Sequence, residues 1–175
     1  MSIEQIQALG DDALANLFDI GFIAPTDAFT SVTNVLLRVQ NFNIPATGAN
    51  TYEVHHKTQM MTKVGGKVNA PNEFTFDFRV DRDWTLYRGF IAWKNLVANS
   101  STGVMMSDGD LNPLRVGITV WPTDGDGEAI AGIKQWTFKG CFVQNVSDIS
   151  FDYTSGDPIM VTITMGYLKM DDTLL

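Results

Sequence analysis

Residues 74–97 read FTFDFRVDRDWTLYRGFIAWKNLV and join the clearest strand pattern in the chain to its clearest long helix pattern. In the first seven residues, apolar and polar side chains alternate with the period of two that a half-buried β-strand requires. From Trp84 to Val97 apolar residues recur at helical spacing, so that one stripe holds Leu86, Phe90, Trp93 and Val97. Asp83 stands where it would cap this helix. The stretch predicts a strand followed by an amphipathic helix that lies against a sheet.

Strand patterns also flank this unit on both sides. Apolar or alternating runs, several of them closed by a proline, cover residues 16–23, 35–44, 114–120, 136–142 and 159–167. Residues 47–72 are less regular, hold the pairs Met60-Met61 and Gly65-Gly66, and indicate a long hairpin or arm. This order predicts a mainly β or α+β fold, in which two packed antiparallel sheets form a sandwich or barrel with one flanking α-helix.

The composition is typical of one soluble globular domain. The chain has 175 residues, of which 45% are hydrophobic and 18% are charged, and a formal net charge of −8. Asp outnumbers Glu by 16 to 4, which favours turns over helix interiors. Because gripping nucleic acid requires many Lys and Arg side chains on phosphates, the acidic total argues against a nucleic-acid-binding protein.

Neither a membrane span nor a secretory signal is expected. No apolar run approaches the length of a bilayer span, and Met1 to Gln5 has no basic region followed by an apolar stretch. Cys141 is the only cysteine, which excludes an intrachain disulfide and a multi-cysteine zinc site. A chain with one thiol is consistent with folding in a reducing cytoplasm.

Two patterns suggest metal binding, and neither fits. An EF-hand loop that began at Asp124 would need glycine and glutamate where the sequence has Ala129 and Gln135. The segment 124–128 is better explained as a glycine-rich hairpin tip. His55 and His56 are adjacent, so in a strand their side chains point to opposite faces and do not share a metal.

Residues for nucleophilic catalysis or phosphate binding are not arranged as those reactions require. Cys141 lies in a predicted strand, where a small buried thiol is the ordinary role. Gly65-Gly66-Lys67 is too short for a phosphate-binding loop, and no G-x-S-x-G occurs. We therefore predict no catalytic, cofactor-binding or metal-binding residue, no cofactor and no enzymatic activity.

Several predicted strands carry large apolar residues on both faces. Leu36 is adjacent to Leu37, Leu17 to Phe18, and Val120 to Trp121. A small domain covers one sheet face with its own helix, so a second apolar face predicts burial by a partner. Trp121 is then either an exposed binding aromatic or an anchor in an oligomer interface.

The ordered series of these segments resembles the tail tube proteins of contractile-tailed bacteriophages, which are related to the tube proteins of type VI secretion and R-type pyocins. The segments that carry the resemblance are 16–18, 36–48 with its exit Ile44-Pro45-Ala46-Thr47-Gly48, the strand–helix unit 74–96, 136–153 and 159–167. The match covers roughly residues 13 to 169. One departure is Val143, where relatives often carry a proline, so the resemblance does not predict how this hairpin bends.

The resemblance implies a single tail-tube domain over residues 1–175, with 1–12 as an N-terminal extension and 47–72 as an inter-ring arm. It further implies homohexameric rings whose strands join into a continuous inner β-barrel, and rings that stack into a tube. The implied partners are the tail sheath protein and the baseplate and tail terminator proteins. Phage DNA would pass through the lumen without specific binding, in a virion tail assembled in the host cytoplasm, with no membrane involved.

Two alternatives remain open from the sequence. A β-sandwich binding module would use Trp121 and the tip 124–128 for carbohydrate and Ca²⁺, and a tube-initiating baseplate protein would share the tube fold. A hydrolase is a third, weaker reading, because the sequence does not display a catalytic group.

Overall fold

In this computed structural model the described residues are 15–23, 25, 29, 38–56, 59–69, 71–99, 101–103, 116–124, 134–154 and 156–174. They form one helix, α1 (Thr85–Val97), and nine strands, of which five precede the helix. The first five strands are β1 (Phe18–Phe22), β2 (Val39–Asn43), β3 (Gly48–His56), β4 (Gln59–Asn69) and β5 (Glu73–Arg79). The last four strands are β6 (Val116–Pro122), β7 (Lys134–Val146), β8 (Met160–Gly166) and β9 (Lys169–Leu174).

Two antiparallel sheets share the long strand β7. Sheet A consists of β1, β6, the N-terminal part of β7 and β9. Sheet B consists of the C-terminal part of β7, β8, β5 and β2. Among the described strands, β3 and β4 pair with each other alone, as a separate hairpin. The predicted fold class is confirmed as a sandwich, since the strands that the structure describes do not close into a barrel.

Strand β7 passes from one sheet to the other through a bend at Gly140. Gly140 has φ = 70°, in the left-handed region that glycine adopts without steric cost. Lys139 pairs with Lys169 of β9, whereas Phe142 pairs with Gly166 of β8. A second irregularity in register lies between Val143 and Asn145. The hairpin therefore bends at a glycine and a bulge, without a proline.

Aromatic side chains fill the space between the sheets. The alternation predicted for residues 74–80 is confirmed, because Phe74, Phe76 and Phe78 are all buried on the inner face of β5. Phe138 of sheet A packs on Phe74 with 4.5 Å between ring centroids, and Phe42 stacks on Phe76. Burial of each such ring stabilises the fold by about 1.5–3 kcal/mol.

Helix α1 closes one side of this core, as predicted. Its buried stripe includes Leu86, Phe90, Trp93 and Val97. Phe90 contacts Phe78 of sheet B with 5.2 Å between ring centroids, and Trp93 contacts Phe22 of sheet A at 6.0 Å. One helix thus holds the inner faces of both sheets together.

The predicted capping residue was wrong. The helix begins after Trp84, and the Asp81 carboxylate accepts hydrogen bonds from the Thr85 and Leu86 amides at 3.0 and 3.1 Å. Trp84 has φ = 60°, and this left-handed residue turns the chain so that Asp81 reaches the helix N-terminus. Asp83 is exposed and does not bond to those amides.

Three features of the structure were not predicted. Strand β9 was missed, because its polar sequence lacks a clear apolar alternation. A bulge lies between Val39 and Asn41 of the predicted strand 35–44, so both Val39 and Phe42 pack against the core. Trp84, at the start of α1, is half-buried beside Tyr87 and Phe151.

Some expectations fall outside the described residues. These are the extension 1–12, the first part of the predicted strand 35–44, and most of the tip 124–128. Among the described residues, the helix is too short and too polar to cross a bilayer.

We expect Gly140→Ala to destabilise the fold by about 1–2 kcal/mol from its left-handed backbone alone. The added Cβ would also lie 2.7 Å from the Leu168 side chain, which increases the cost. Thermal unfolding should record a decrease of about 2–4 °C in Tm for each kcal/mol. Gly156→Ala is the matched control, because no atom lies within 4 Å of its added Cβ. Equal Tm values for the two variants would contradict this role of Gly140.

We expect Asp81→Ala to cost about 1 kcal/mol of folding free energy, as loss of a helix cap does, and Asp83→Ala to cost much less. Partial burial disfavours the ionised carboxylate, but hydrogen bonds from Leu86 and Thr85 outweigh it and hold the pKa of Asp81 below its ordinary value of 3.8. The stabilisation is therefore present above that value and lost as the pH falls through the lower folded-state pKa. Urea unfolding at neutral and acidic pH measures the free energy of unfolding of both variants. A difference in this free energy between the variants that persists at acidic pH would contradict the capping role of the Asp81 carboxylate.

Candidate functional site

The strand edges of sheet B are the first candidate for a functional surface. Among the described residues, β2 pairs with β5 alone, and residues 142–146 of β7 pair with β8 alone. Among the described residues, each of these strands therefore has a strand partner on one side. Such edges pair readily with a strand of another chain.

The outer face of sheet B is polar. Apart from Phe142 and Met160 at its margins, the outward positions carry mostly amide and hydroxyl side chains: Asn41, Asn43, Thr75, Asp77, Asn145, Thr162 and Thr164. The remaining charged side chains on β5, Glu73 and Arg79, lie at its two ends. This face is close to neutral, although the whole chain carries −8.

Hydrogen bonds across the strands order these polar side chains. The Asp77 carboxylate accepts from Thr162 Oγ1 at 2.6 Å and from Asn41 Nδ2 at 3.2 Å. Asn43 Nδ2 donates to Thr75 Oγ1 at 3.0 Å. The face is therefore a row of mutually bonded polar groups rather than an apolar surface that awaits a cover.

Strands β1 and β2 face each other across a seam in which, among the described residues, they do not pair. A cavity of about 290 Å³ lies between them, lined by Asn16, Phe18, Asp19, Ile20, Val39 and Gln40. A neighbouring cavity of about 210 Å³ includes Trp121 and Trp136. The Trp121 ring lies 3.2 Å from the position of a Cβ on Gly21, so Trp121 is half-buried against β1 rather than fully exposed.

The hairpin β3–β4, which we call the arm, lies within residues 47–72, where a long hairpin or arm was predicted. Its strands make their extensive contacts with each other, and its exposed apolar side chains are Tyr52, Met60, Met61 and Val64. The base of the hairpin is held by Tyr167, whose hydroxyl donates to the Pro71 carbonyl and whose amide donates to the Asn72 carbonyl. The arm is thus fastened at its base and offers apolar surface along its length.

An aromatic cluster lies near the N-terminus of α1. Trp84 makes an edge contact with Tyr87 at 5.6 Å and a tilted contact with Phe151 at 6.1 Å between ring centroids. Phe151 is 74% exposed, and Tyr153 is fully exposed in the same loop. Exposed aromatic side chains in a cluster mark interaction surfaces.

The residues weighed for chemistry lie apart from one another. Cys141 is fully buried, and its thiol donates to the Phe138 carbonyl at 3.4 Å. His55 lies exposed on the arm, 3.9 Å from Glu53, and the tip beyond Asp124 is outside the described residues. In the described part of the chain, no group of His, Cys, Asp and Glu is arranged to hold a metal ion.

The sequence predicted burial of apolar surface by a partner but did not show which strands lie at the margins of sheet B. The sequence does not reveal strand pairing, so it did not indicate that, among the described residues, β2 and the end of β7 each pair on one side. Sequence reasoning also missed the exposed pair Phe151 and Tyr153. The sequence feature that could have indicated an exposed surface there is the placement of two aromatic residues among aspartates.

No protein-family model matches this chain, and no curated protein matches it. A chain of the anti-feeding prophage tube-terminating cap has a TM-score of 0.66 and 14% identity, over 95% of this chain and 93% of that chain. A chain of the anti-feeding prophage baseplate, six-fold symmetrised, has a TM-score of 0.64 and 10% identity, over 94% and 97%. A chain of the extended sheath–tube complex of PVC, an extracellular contractile injection system, has a TM-score of 0.57 and 16% identity, over 100% of this chain and 99% of that chain.

These matches are similarities of fold at low sequence identity. Because they extend over nearly the whole length of each chain, the entire domain has the fold found in tube, cap and baseplate assemblies of contractile injection systems. The resemblance seen in the sequence is confirmed at this level.

We expect Cys141 to be unreactive toward a thiol reagent in the folded chain. Burial raises the pKa of its thiol to about 12, and only the thiolate is nucleophilic. Colour development with a disulfide reagent at pH 8 should be slow in buffer and rapid in urea. Rapid reaction in buffer would show that the thiol is accessible and that it was assigned to the core wrongly.

Proposed function

We propose that this chain is a structural tail protein whose copies close into homohexameric rings, and that these rings stack into the inner tube of a contractile tail. In this proposal residues 1–175 form one tail-tube domain without catalytic activity. The observation that carries it is sheet B: among the described residues, its marginal strands β2 and 142–146 of β7 each pair on one side, and its outer face is polar.

Ring closure follows from the two edges of sheet B. The edge of β2 in one copy would pair with residues 142–146 of β7 in the next, so that each copy adds four strands to a continuous inner barrel. Closing the ring pairs the backbone groups that a single copy leaves open. The six-fold symmetry of the similar baseplate assembly supports six as the number of copies.

The polar outer face of sheet B would line the lumen. Phage DNA would pass it without specific binding, because the face has few cationic groups to hold phosphates. A strongly acidic wall is not needed for this, and among the described strands of sheet B only Glu73 and Asp77 carry carboxylates. Amide and hydroxyl groups bonded to one another would give DNA a smooth neutral surface.

The partners follow from the assemblies in which this fold occurs. The similar chains belong to a sheath–tube complex, a tube-terminating cap and a baseplate. We infer that this chain meets a sheath protein on the outside of the tube and baseplate and terminator proteins at its ends. The arm and the extension 1–12 would reach neighbouring rings, in a virion tail assembled in the host cytoplasm.

A tube-initiating or tube-terminating ring is a second candidate within the same class. The TM-scores with the cap and baseplate chains, 0.66 and 0.64, exceed the 0.57 with the sheath–tube chain. Such a protein would form single rings and would not extend into long tubes. The carbohydrate-binding alternative has less support, because Trp121 is half-buried against Gly21.

The proposal is tested by the assembly state of the purified protein. Six copies would carry −48, since each carries −8, so salt should promote stacking by screening the repulsion between rings. Native mass spectrometry should give hexamers, and negative-stain microscopy should show tubes whose length increases with salt. Single rings at every salt concentration would favour the second candidate, and a monomer throughout would overturn the proposal.

We expect Thr164→Lys, on the outer face of sheet B, to make the tube retain DNA. Six added cations in each ring would contact phosphates, so the retention should fall steeply with salt. The amount of DNA that is protected from nuclease, after assembly in the presence of an oligonucleotide, measures this retention. Thr137→Lys is the matched control, because Thr137 is also half-buried and faces outward from sheet A. Equal protection by both variants would contradict a lumen lined by sheet B.

A further inference from the structure

The strand register of the arm brings a histidine and a methionine together. His55 of β3 is paired with Met60 of β4. Residues directly opposite each other in an antiparallel pair project their side chains from the same face, with about 4.5–5.5 Å between Cβ atoms. Both side chains are exposed, His55 at 70% and Met60 at 60%. An imidazole and a thioether therefore lie within reach of one ion that arrives from solvent.

A carboxylate lies next to the imidazole. Glu53 precedes His55 by two residues on β3, so the two side chains project from the same face of the strand. Glu53 Oε2 lies 3.9 Å from His55 Nε2, which is too long for a hydrogen bond but needs only a small side-chain movement to become one. This face of the arm thus holds a nitrogen, a sulfur and an oxygen donor.

The opposite face of the arm has a methionine in a different setting. Met61 is as exposed as Met60, at 60%, but it is paired with Val54, which has no donor atom in its side chain. The nearest histidine on that face, His56, is paired with Gln59 and is therefore offset from Met61 along the diagonal. In the described part of the arm, the directly opposed imidazole and thioether belong to His55 and Met60.

This set of donors favours copper in its reduced state. Imidazole nitrogen binds zinc, copper, iron and nickel, whereas soft thioether sulfur selects Cu(I). The filled d shell of Cu(I) imposes no coordination geometry, so a small number of ligands can satisfy it. A hard cation such as Ca²⁺ or Mg²⁺ requires several oxygen ligands, and this face supplies one carboxylate. The reducing cytoplasm in which the chain is expected to fold also keeps copper as Cu(I).

We propose that the arm binds a Cu(I) ion between His55 and Met60. The ligands would be Nδ1 of His55 and Sδ of Met60, while the Glu53 carboxylate accepts the N–H of His55 Nε2. A carboxylate commonly orients a metal-binding histidine in this way, and it raises the basicity of the nitrogen that faces the metal. The proposal does not depend on the assembly of rings. For this one pair it replaces the sequence prediction that the chain has no metal-binding residue.

Residues adjacent in the sequence did not indicate this pair. His55 and His56 project from opposite faces of β3, and Met60 comes to lie opposite His55 only through the register of the two strands. In the described part of the chain, no group of His, Cys, Asp and Glu could hold a metal ion. The thioether is therefore the donor on which the site depends.

A bridging ion would stabilise the arm. Strands β3 and β4 make their extensive contacts with each other, and a two-stranded hairpin by itself is marginally stable in water. A metal ion that joins β3 to β4 binds the paired form and stabilises it by mass action. The pair of His55 and Met60 lies far along the arm from the pair of Gly48 and Asn69 at its base, so the ion would hold the two strands together where the core does not.

Competition for Cu(I) with the coloured chelator bicinchoninate, in the absence of oxygen, tests the site in the full chain. Met60→Leu removes the thioether at nearly constant volume. It should weaken Cu(I) binding by at least about tenfold, since even the loss of a group that supports a ligand costs that much. His55→Gln should weaken binding by a similar factor.

Met61→Leu is the matched control, because Met61 has the same exposure as Met60 and faces Val54. Its affinity for Cu(I) should equal that of the unaltered chain. Cys141 is buried and present in every variant, so it does not account for a difference between them. Equal affinities of Met60→Leu and Met61→Leu, or a His55→Gln chain that binds as the unaltered chain does, would overturn the proposal.

Amide hydrogen exchange locates the ion on the arm. Addition of Cu(I) should slow exchange in β3 and β4 of the unaltered chain by about tenfold or more, and should leave exchange in β5 and α1 unchanged. The same addition should have little effect on the Met60→Leu chain and the full effect on the Met61→Leu chain. Slower exchange that appears in the core instead of the arm, or equally in both variants, would place the metal elsewhere and would contradict the site.

Discussion

The bend of β7 at Gly140 is the constraint on which the rest of the structure depends. Its positive φ lets one 13-residue strand serve sheet A with its first half and sheet B with its second. Because the two sheets diverge from this strand, they enclose a core in which Phe74 of one sheet meets Phe138 of the other. Helix α1 then covers the side of the core that the sheets leave open.

The same bend places the end of β7 at a margin of sheet B. Cys141 still pairs with Val116 of β6, and beyond it residues 142–146 pair with β8 alone among the described residues. At the other margin of sheet B, β5 is the described strand that pairs with β2. A single copy that satisfied these edges internally would be a closed barrel. The open form suits a protein that completes its hydrogen bonding with further copies of itself.

Charge is distributed unevenly over this strongly acidic chain. The outer face of sheet B is nearly neutral, with Asp77 bonded to Thr162 and Asn41. Residues 48–69 carry a formal charge of +2, and residues 147–159 carry −3. The acidic excess of the chain is therefore concentrated outside the arm and the outer face of sheet B.

The sequence by itself determined the elements in which the spacing of apolar residues shows which side chains are buried. The alternation of Phe74, Phe76 and Phe78 and the stripe of Leu86, Phe90 and Trp93 predicted β5 and α1 to within one residue, because each period follows from which side chains face the core. Only the tertiary structure decided the cap at Asp81, the strand β9, the bulge in β2 and the open edges of sheet B. These depend on a left-handed residue at Trp84 or on hydrogen bonds between strands distant in sequence, and backbone hydrogen bonds leave no pattern in the side chains. The function proposed for the chain depends on those edges, and so on information that local sequence does not carry.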